Sequence, residues 1–172
     1  KKHNLKIVSM QSLFFDAKDC YLFQSTKQRS NFVNHLTQII RLAKKLGIKN
    51  LVFGSPKNRI IPSDMKYIEA EKIAIKVFKK IGKIAKLNNI YLSIEPNPKE
   101  YGTNFLNTIH QTYDFVKKVK SKNIKIILDV GSILMNLENK EIDRIIKKCI
   151  NLINHVHILS LIHISEPTRR TP

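Results

Sequence analysis

Two kinds of apolar pattern alternate along the chain. Short runs of adjacent apolar residues, "LKIVSM" (5–10), "NLVFG" (50–54), "IYLSIE" (90–95), "IKIILD" (124–129) and "HVHI" (155–158), read as β-strands rich in Ile, Val and Leu. Between them, apolar residues recur every three or four positions, the repeat of one helical face. In "QRSNFVNHLTQIIRLAKKLG" (28–47) that face carries Phe32, Leu36, Ile39, Ile40, Ala43 and Leu46, with Gly47 as the stop. A second helix is expected from about Ser63, with a Ser/Asp cap and a stripe through Ile68, Ile75, Phe78 and Ile81. A third spans "TNFLNTIHQTYDFVKKVK" (103–120), with Phe105, Ile109, Tyr113 and Val116 inward, and a fourth "KEIDRIIKKCINLI" (140–153).

Five strands separated by four helices define an α/β chain. Strands that are apolar along their whole length suit a parallel sheet covered on both faces. Such a sheet is either open and doubly wound or part of a closed barrel. A doubly wound sheet usually carries a Gly-rich phosphate loop. This chain has five glycines and neither a G-x-G-x-x-G nor a Walker pattern. The expectation is therefore a partial (β/α)8 barrel, in which all strand ends share one rim.

Composition narrows the class without naming a chemistry. The 172 residues, 42% hydrophobic and 26% charged, suit one globular domain with a core of its own. No apolar run is long enough for a membrane span. Cys20 and Cys149 lack metal-type spacing, which predicts reduced thiols and a cytoplasmic protein. The net charge of +18 raises the question of nucleic acid. The lysine pairs 44–45, 79–80, 117–118 and 147–148 fall on four different helices, so the expectation is solvated charge spread around the outside. Nucleic acid is accordingly not the expected partner.

The candidate chemistry lies where the strands stop. The first ends at Gln11, the second runs into "GSPKNR" (54–59), the third closes on Glu95-Pro96-Asn97, the fourth on Asp129 and the fifth on His157. Active sites of barrels are assembled from several such ends. Two carboxylates and one imidazole suit a hard or borderline divalent ion, Mn²⁺ or Mg²⁺ before Co²⁺ or Zn²⁺. Glu95, closing an apolar strand, needs a partner for its charge. Asp129 is a further candidate ligand, with capping of the following turn as the alternative. His3, His35 and His110 have no such placing and read as structural. Lys57 and Arg59 could hold a phosphate or a sugar hydroxyl, or be solvated loop charges. Gln11 and Asn97 are further candidates for contacts with substrate.

Taken in order, "SMQSLFF", "LVFGSPKNR", "IEPNPKEYGTNF", "ILDVGS" and "HVHI" resemble the sugar phosphate isomerase/epimerase group of the xylose isomerase-like TIM-barrel superfamily, over about residues 5 to 158. The resemblance implies a divalent-metal enzyme that moves a proton between adjacent carbons of a sugar or sugar phosphate through an enediolate. It implies Glu95, Asp129 and His157 as metal ligands, Glu95 as one of two acid/base carboxylates, and Lys57 and Arg59 facing substrate. It also implies a fragment: strands two to six of eight, without the second carboxylate, inactive by itself, with homo-oligomer formation left to the full-length protein. An apurinic-endonuclease-like zinc phosphodiesterase shares the barrel, but it needs further histidines that the strand ends do not supply. A non-catalytic binding fragment of the same fold is the other alternative. Residues 159–172, "LSLIHISEPTRRTP", resemble a translated sequencing adapter and are expected to be foreign; the rival assigns the ligand to His163 instead of His157.

Overall fold

The structure, a computed structural model, describes residues 5–158. Five strands, β1 (Ser9–Met10), β2 (Asn50–Phe53), β3 (Tyr91–Ile94), β4 (Ile124–Asp129) and β5 (Ile153–His157), form one sheet in the order β1-β2-β3-β4-β5. Every neighbouring pair is parallel. Strand order that follows chain order, with no reversal, is that of a barrel wall; a doubly wound sheet turns back from its first strand. The fold is a curled part of a (β/α)8 barrel, and the barrel expectation holds. The expectation for residues 159–172, including His163, falls outside the described residues.

The helices are α1 (Thr26–Leu46), α2 (Tyr67–Asn88), α3 (Ile109–Val119), α4 (Val130–Met135) and α5 (Ile142–Cys149). Ser25 and Gln28 form a reciprocal cap at the start of α1, and Gly47 closes it at φ 73°. Several boundaries differ from the sequence expectation. Helix α2 starts at Tyr67 rather than Ser63, because residues 62–65 close a turn and Glu69 Oε2 accepts from the Lys66 N–H. Helix α3 starts after Thr108, which with Gln111 builds the cap, while residues 103–107 are irregular. The fourth crossover is not one helix: Asp129 caps the short α4 directly at the strand end, and Leu137, at φ 56°, ends that segment before α5. In the first run only Ser9 and Met10 pair, and Leu5, Ile7 and Val8 are exposed.

Alternation along the strands sorts two faces. Leu51, Phe53, Leu92, Ile94, Ile126 and Leu128 join one core with Leu36, Ile40, Phe78, Ile81, Phe115 and Val116 from the helices. Phe53 contacts Phe14, Phe32 and Phe78 with ring centroids 5.5–5.8 Å apart, mostly edge-on. Leu46 and Ile68, expected inward, are exposed; alanines 70, 74 and 85 let α2 lie close instead. Val52 and Ile127 are buried but stand outside that core, on the opposite face.

That second face is the inside of the barrel, and it is polar at its lower end. Asn50 Oδ1 accepts from Ser93 Oγ at 2.7 Å and from Asn154 Nδ2 at 2.7 Å, and Asn50 Nδ2 donates to Ser9 Oγ at 3.1 Å. Side chains from four strands are thus tied in one layer. Asn154 reaches it because the β4–β5 register shifts between Ile126 and Ile127. No described helix is long and apolar enough to cross a membrane.

Candidate metal centre

Glu95, Asp129 and His157 meet at the carboxyl ends of β3, β4 and β5. They offer one ligand atom each, all within 4.8 Å of one another. His157 Nδ1 lies 2.6 Å from Glu95 Oε1 and 3.9 Å from Asp129 Oδ2. Asp129 Oδ1 accepts from the Ser132 N–H at 2.8 Å. The capping role and the ligand role of Asp129 are therefore compatible: one oxygen holds α4, the other faces His157.

The surroundings fix this arrangement. Ser132 Oγ donates to the Pro96 carbonyl at 3.0 Å, joining the ends of β3 and β4. Asn97 is buried; its Nδ2 donates to the Gly54 carbonyl at 2.9 Å, and its own carbonyl accepts from Asn107 at 2.8 Å. The Oδ1 of Asn97 is buried without a partner among the described residues. Gly54 supplies room: a Cβ there would run into Glu95 Oε2. Gly54→Ala should therefore keep the fold and weaken divalent-metal affinity about tenfold, the scale of a disturbed supporting contact. Unchanged Mn²⁺ affinity in a calorimetric titration would show that the carboxylate has another place to go.

Burial raises the Glu95 carboxyl above the ordinary carboxylate range. Asp129 pushes it the same way, while His157 and Arg59 pull it back. Two carboxylates and an imidazole converging under partial burial form a donor set that a divalent cation satisfies: it offsets the like-charge repulsion and accepts all three lone pairs. The residues present fit such an ion.

The other sequence candidates separate. Arg59 is completely buried; its Nη2 donates to the Glu95 backbone carbonyl at 2.9 Å, and its guanidinium sits 5.6 Å from the Phe53 ring centroid. Its Nε and Nη1 have no hydrogen-bond partner among the described residues. Burial lowers its pKa to about 9, against the pull of Glu95 and Tyr67. Lys57, two residues earlier, is exposed and lines a hollow with Phe14, Asp16, Asp19 and Tyr21 that contains none of Glu95, Asp129 and His157. Gln11 is exposed at the end of β1. His35 bonds the Leu13 carbonyl at 2.8 Å, and His110 stands 4.0 Å from Glu141, so both read as structural. Cys20 and Cys149 are free and buried.

Two neighbours of the site were not legible as candidates. Tyr101 lies where both Asp129 and Glu95, after burial, raise its hydroxyl pKa. His155 stacks edge-on to His157 with centroids 5.2 Å apart. The doublet "HVH" was the available signal for His155; for Tyr101 there was only its place in the loop after β3.

A parallel barrel wall with a carboxylate–carboxylate–imidazole cluster on its carboxyl rim defines the class. Residues 1–165 match the family model described as xylose isomerase-like TIM barrel, and the chain belongs to that family. No curated protein matches the chain. Among solved structures, it is similar to the apo form of 3-keto-D-glucoside 4-epimerase, YcjR, from E. coli, with TM-score 0.74, 16% identity, and coverage of 92% of this chain and 60% of that one. D-psicose 3-epimerase from Clostridium cellulolyticum H10, solved with D-tagatose, gives TM-score 0.69 and 18% identity over 82% of this chain and 49% of that one. IolI with a bound zinc atom gives TM-score 0.56 and 18% identity over 74% and 42%. The chain spans about half the length of these structures.

Proposed function

We propose that this chain carries the metal-binding half of a sugar epimerase or isomerase. The observation that carries the reading is the convergence of Glu95, Asp129 and His157 on one rim of the barrel. Glu95, Asp129 and His157 would hold the ion, Mn²⁺ or Mg²⁺ by their oxygen-rich chemistry, with Co²⁺ or Zn²⁺ as alternatives. When bound, a divalent ion polarises a sugar carbonyl and its neighbouring hydroxyl, which makes the adjacent C–H more acidic.

The chain's own residues supply the remainder. Glu95 is the group that takes or returns the proton on one face of the sugar, a task that suits a carboxylate within reach of the polarised C–H. Asp129 is held by α4 and so keeps a fixed position. Arg59 holds the Glu95 carbonyl, and Asn97, two residues on, ties the same segment to the Gly54 carbonyl at the end of β2; together they position Glu95. Tyr101, on the same loop, stands where it could contact a sugar hydroxyl. The substrate class is a ketose or its phosphate; the full-length protein, supplying a second carboxylate on the opposite face, would invert or isomerise it.

One carboxylate suffices for the first half of the reaction, which gives the test. With Mn²⁺ in D2O, the chain should exchange the proton on the carbon next to the carbonyl of a ketose such as D-fructose, D-tagatose or L-ribulose. Proton NMR would show loss of that one signal, dependent on metal. Metal binding without exchange on any ketose would overturn the catalytic reading and leave a binding fragment.

A further inference from the structure

We propose that a lysine-lined hollow at the opposite end of the barrel from the metal centre binds a small polyphosphorylated anion. It lies where the C-terminal half of α2 meets the turn between α3 and β4, near the amino ends of the strands. Lys79, Lys83, Lys86, Lys120 and Lys122 line it, with Ser121 and Asn123 on its wall, around about 480 Å³. Lys79, Lys83 and Lys86 share one helical stripe at i, i+4 and i+7. Lys120 and Lys122 approach from the facing turn because α2 packs tightly there: a Cβ on Gly82 would collide with the Ser121 hydroxyl. Across the Lys120–Lys122 turn a second hollow of about 400 Å³ adds Lys117 and Lys125.

This arrangement adds to the expectation of lysine pairs spread around the outside. The adjacent pairs do sit on separate helices, but single lysines from two elements gather here. Among the described residues no carboxylate lines either hollow, and none pairs with the five lysines of the first. The nearby seam between the same helices shows the contrast, since Lys118 is neutralised by Glu71 at 2.7 Å. Like charges at i, i+4 repel, and an anion seated in the hollow would offset that repulsion. Phosphate oxygens suit this lining, as the ammonium groups act as point charges and Ser121 and Asn123 add polar groups. Single-stranded nucleic acid would need aromatic platforms for its bases, and no aromatic residue lines either hollow. A hollow of about 480 Å³ has room for a compact anion, whereas a duplex needs an extended stripe.

The test uses inorganic triphosphate as the probe on the 172-residue chain, with chelator present so that the metal centre takes no part. Calorimetry should show one anion per chain, with affinity that falls as salt rises. The triple change Lys83→Ala, Lys86→Ala, Lys122→Ala should weaken binding about tenfold or more. Lys44→Ala, Lys45→Ala, Lys147→Ala removes the same charge from α1 and α5 and should leave affinity within about twofold. Triphosphate should also shield Lys83, Lys86 and Lys122, but not Lys44, from acetylation, a readout on the unaltered chain. No binding, equal loss in both triples, or a short duplex that triphosphate cannot displace would each overturn the proposal.

Discussion

Glu95→Gln should abolish divalent-metal binding while leaving the fold intact. The substitution keeps the shape of the side chain but removes the one carboxylate that faces both Asp129 and His157. Glu95 ionises only against the cost of burial, so removing its charge relieves the chelated protein and should not lower its melting temperature. Metal-linked stability is the sensitive readout. At a free Mn²⁺ concentration about a hundred times the dissociation constant, an ion that binds only the folded state adds about 2.7 kcal/mol. For a chain of this size that is a rise of roughly 5–10 °C in Tm. The Gln variant should show no metal-dependent rise, and a calorimetric affinity at least about a hundredfold weaker. The deuterium exchange should vanish with it. A Gln variant that still gained stability from Mn²⁺ would mean that the ion sits elsewhere.

The strand ends and the inner layer show why some of this was readable from the residues and some was not. The rim positions of Glu95, Asp129 and His157 were legible because each stands at the end of a strand, and a parallel barrel gathers strand ends by topology alone. The same logic placed Gln11 and Lys57 on the rim but could not orient them. Both are exposed, and Lys57 faces a different hollow. Two positions apart in "GSPKNR", Lys57 and Arg59 look alike as loop cations. The 3₁₀ turn over Pro56–Arg59 sends one to solvent and the other under β3. No periodicity reports such a turn. Helix starts were misplaced for a related reason: Glu69 reaching back and the Thr108–Gln111 pair decide them, whereas hydrophobic spacing extends past the true caps. The polar layer of Ser9, Asn50, Ser93 and Asn154 is a tertiary feature, joining residues up to 104 positions apart. Asn50 and Ser93 each stand inside an apolar strand, and only the curvature of the sheet shows that they face one another.

Arg59 separates two kinds of support that a side chain can give. Replacing it with Ala should destabilise the protein by about 3–5 kcal/mol, or roughly 6–20 °C in Tm. The stem of Arg59 fills space beside Phe53, and its Nη2 satisfies the Glu95 carbonyl; Ala leaves both unfilled. Replacing it with Met should cost far less, within about 2 kcal/mol of wild type, because a stem of similar length refills the space and no charge needs burial. Two guanidinium nitrogens, Nε and Nη1, have no partner among the described residues, so its removal also relieves an unfavourable term. Metal affinity should not follow stability. Both variants lose the donor that fixes the Glu95 backbone and the positive charge that helps the carboxylate ionise, so both should bind Mn²⁺ about ten- to a hundredfold more weakly. A Met variant with wild-type affinity would show that Arg59 positions nothing and serves only the core. A Met variant as unstable as the Ala variant would place the support in the charge itself, through a partner that the buried guanidinium meets beyond Glu95. Loss of affinity with stability retained is the outcome that makes Arg59 a positioning residue, acting on the metal centre from behind the strand that carries its central carboxylate.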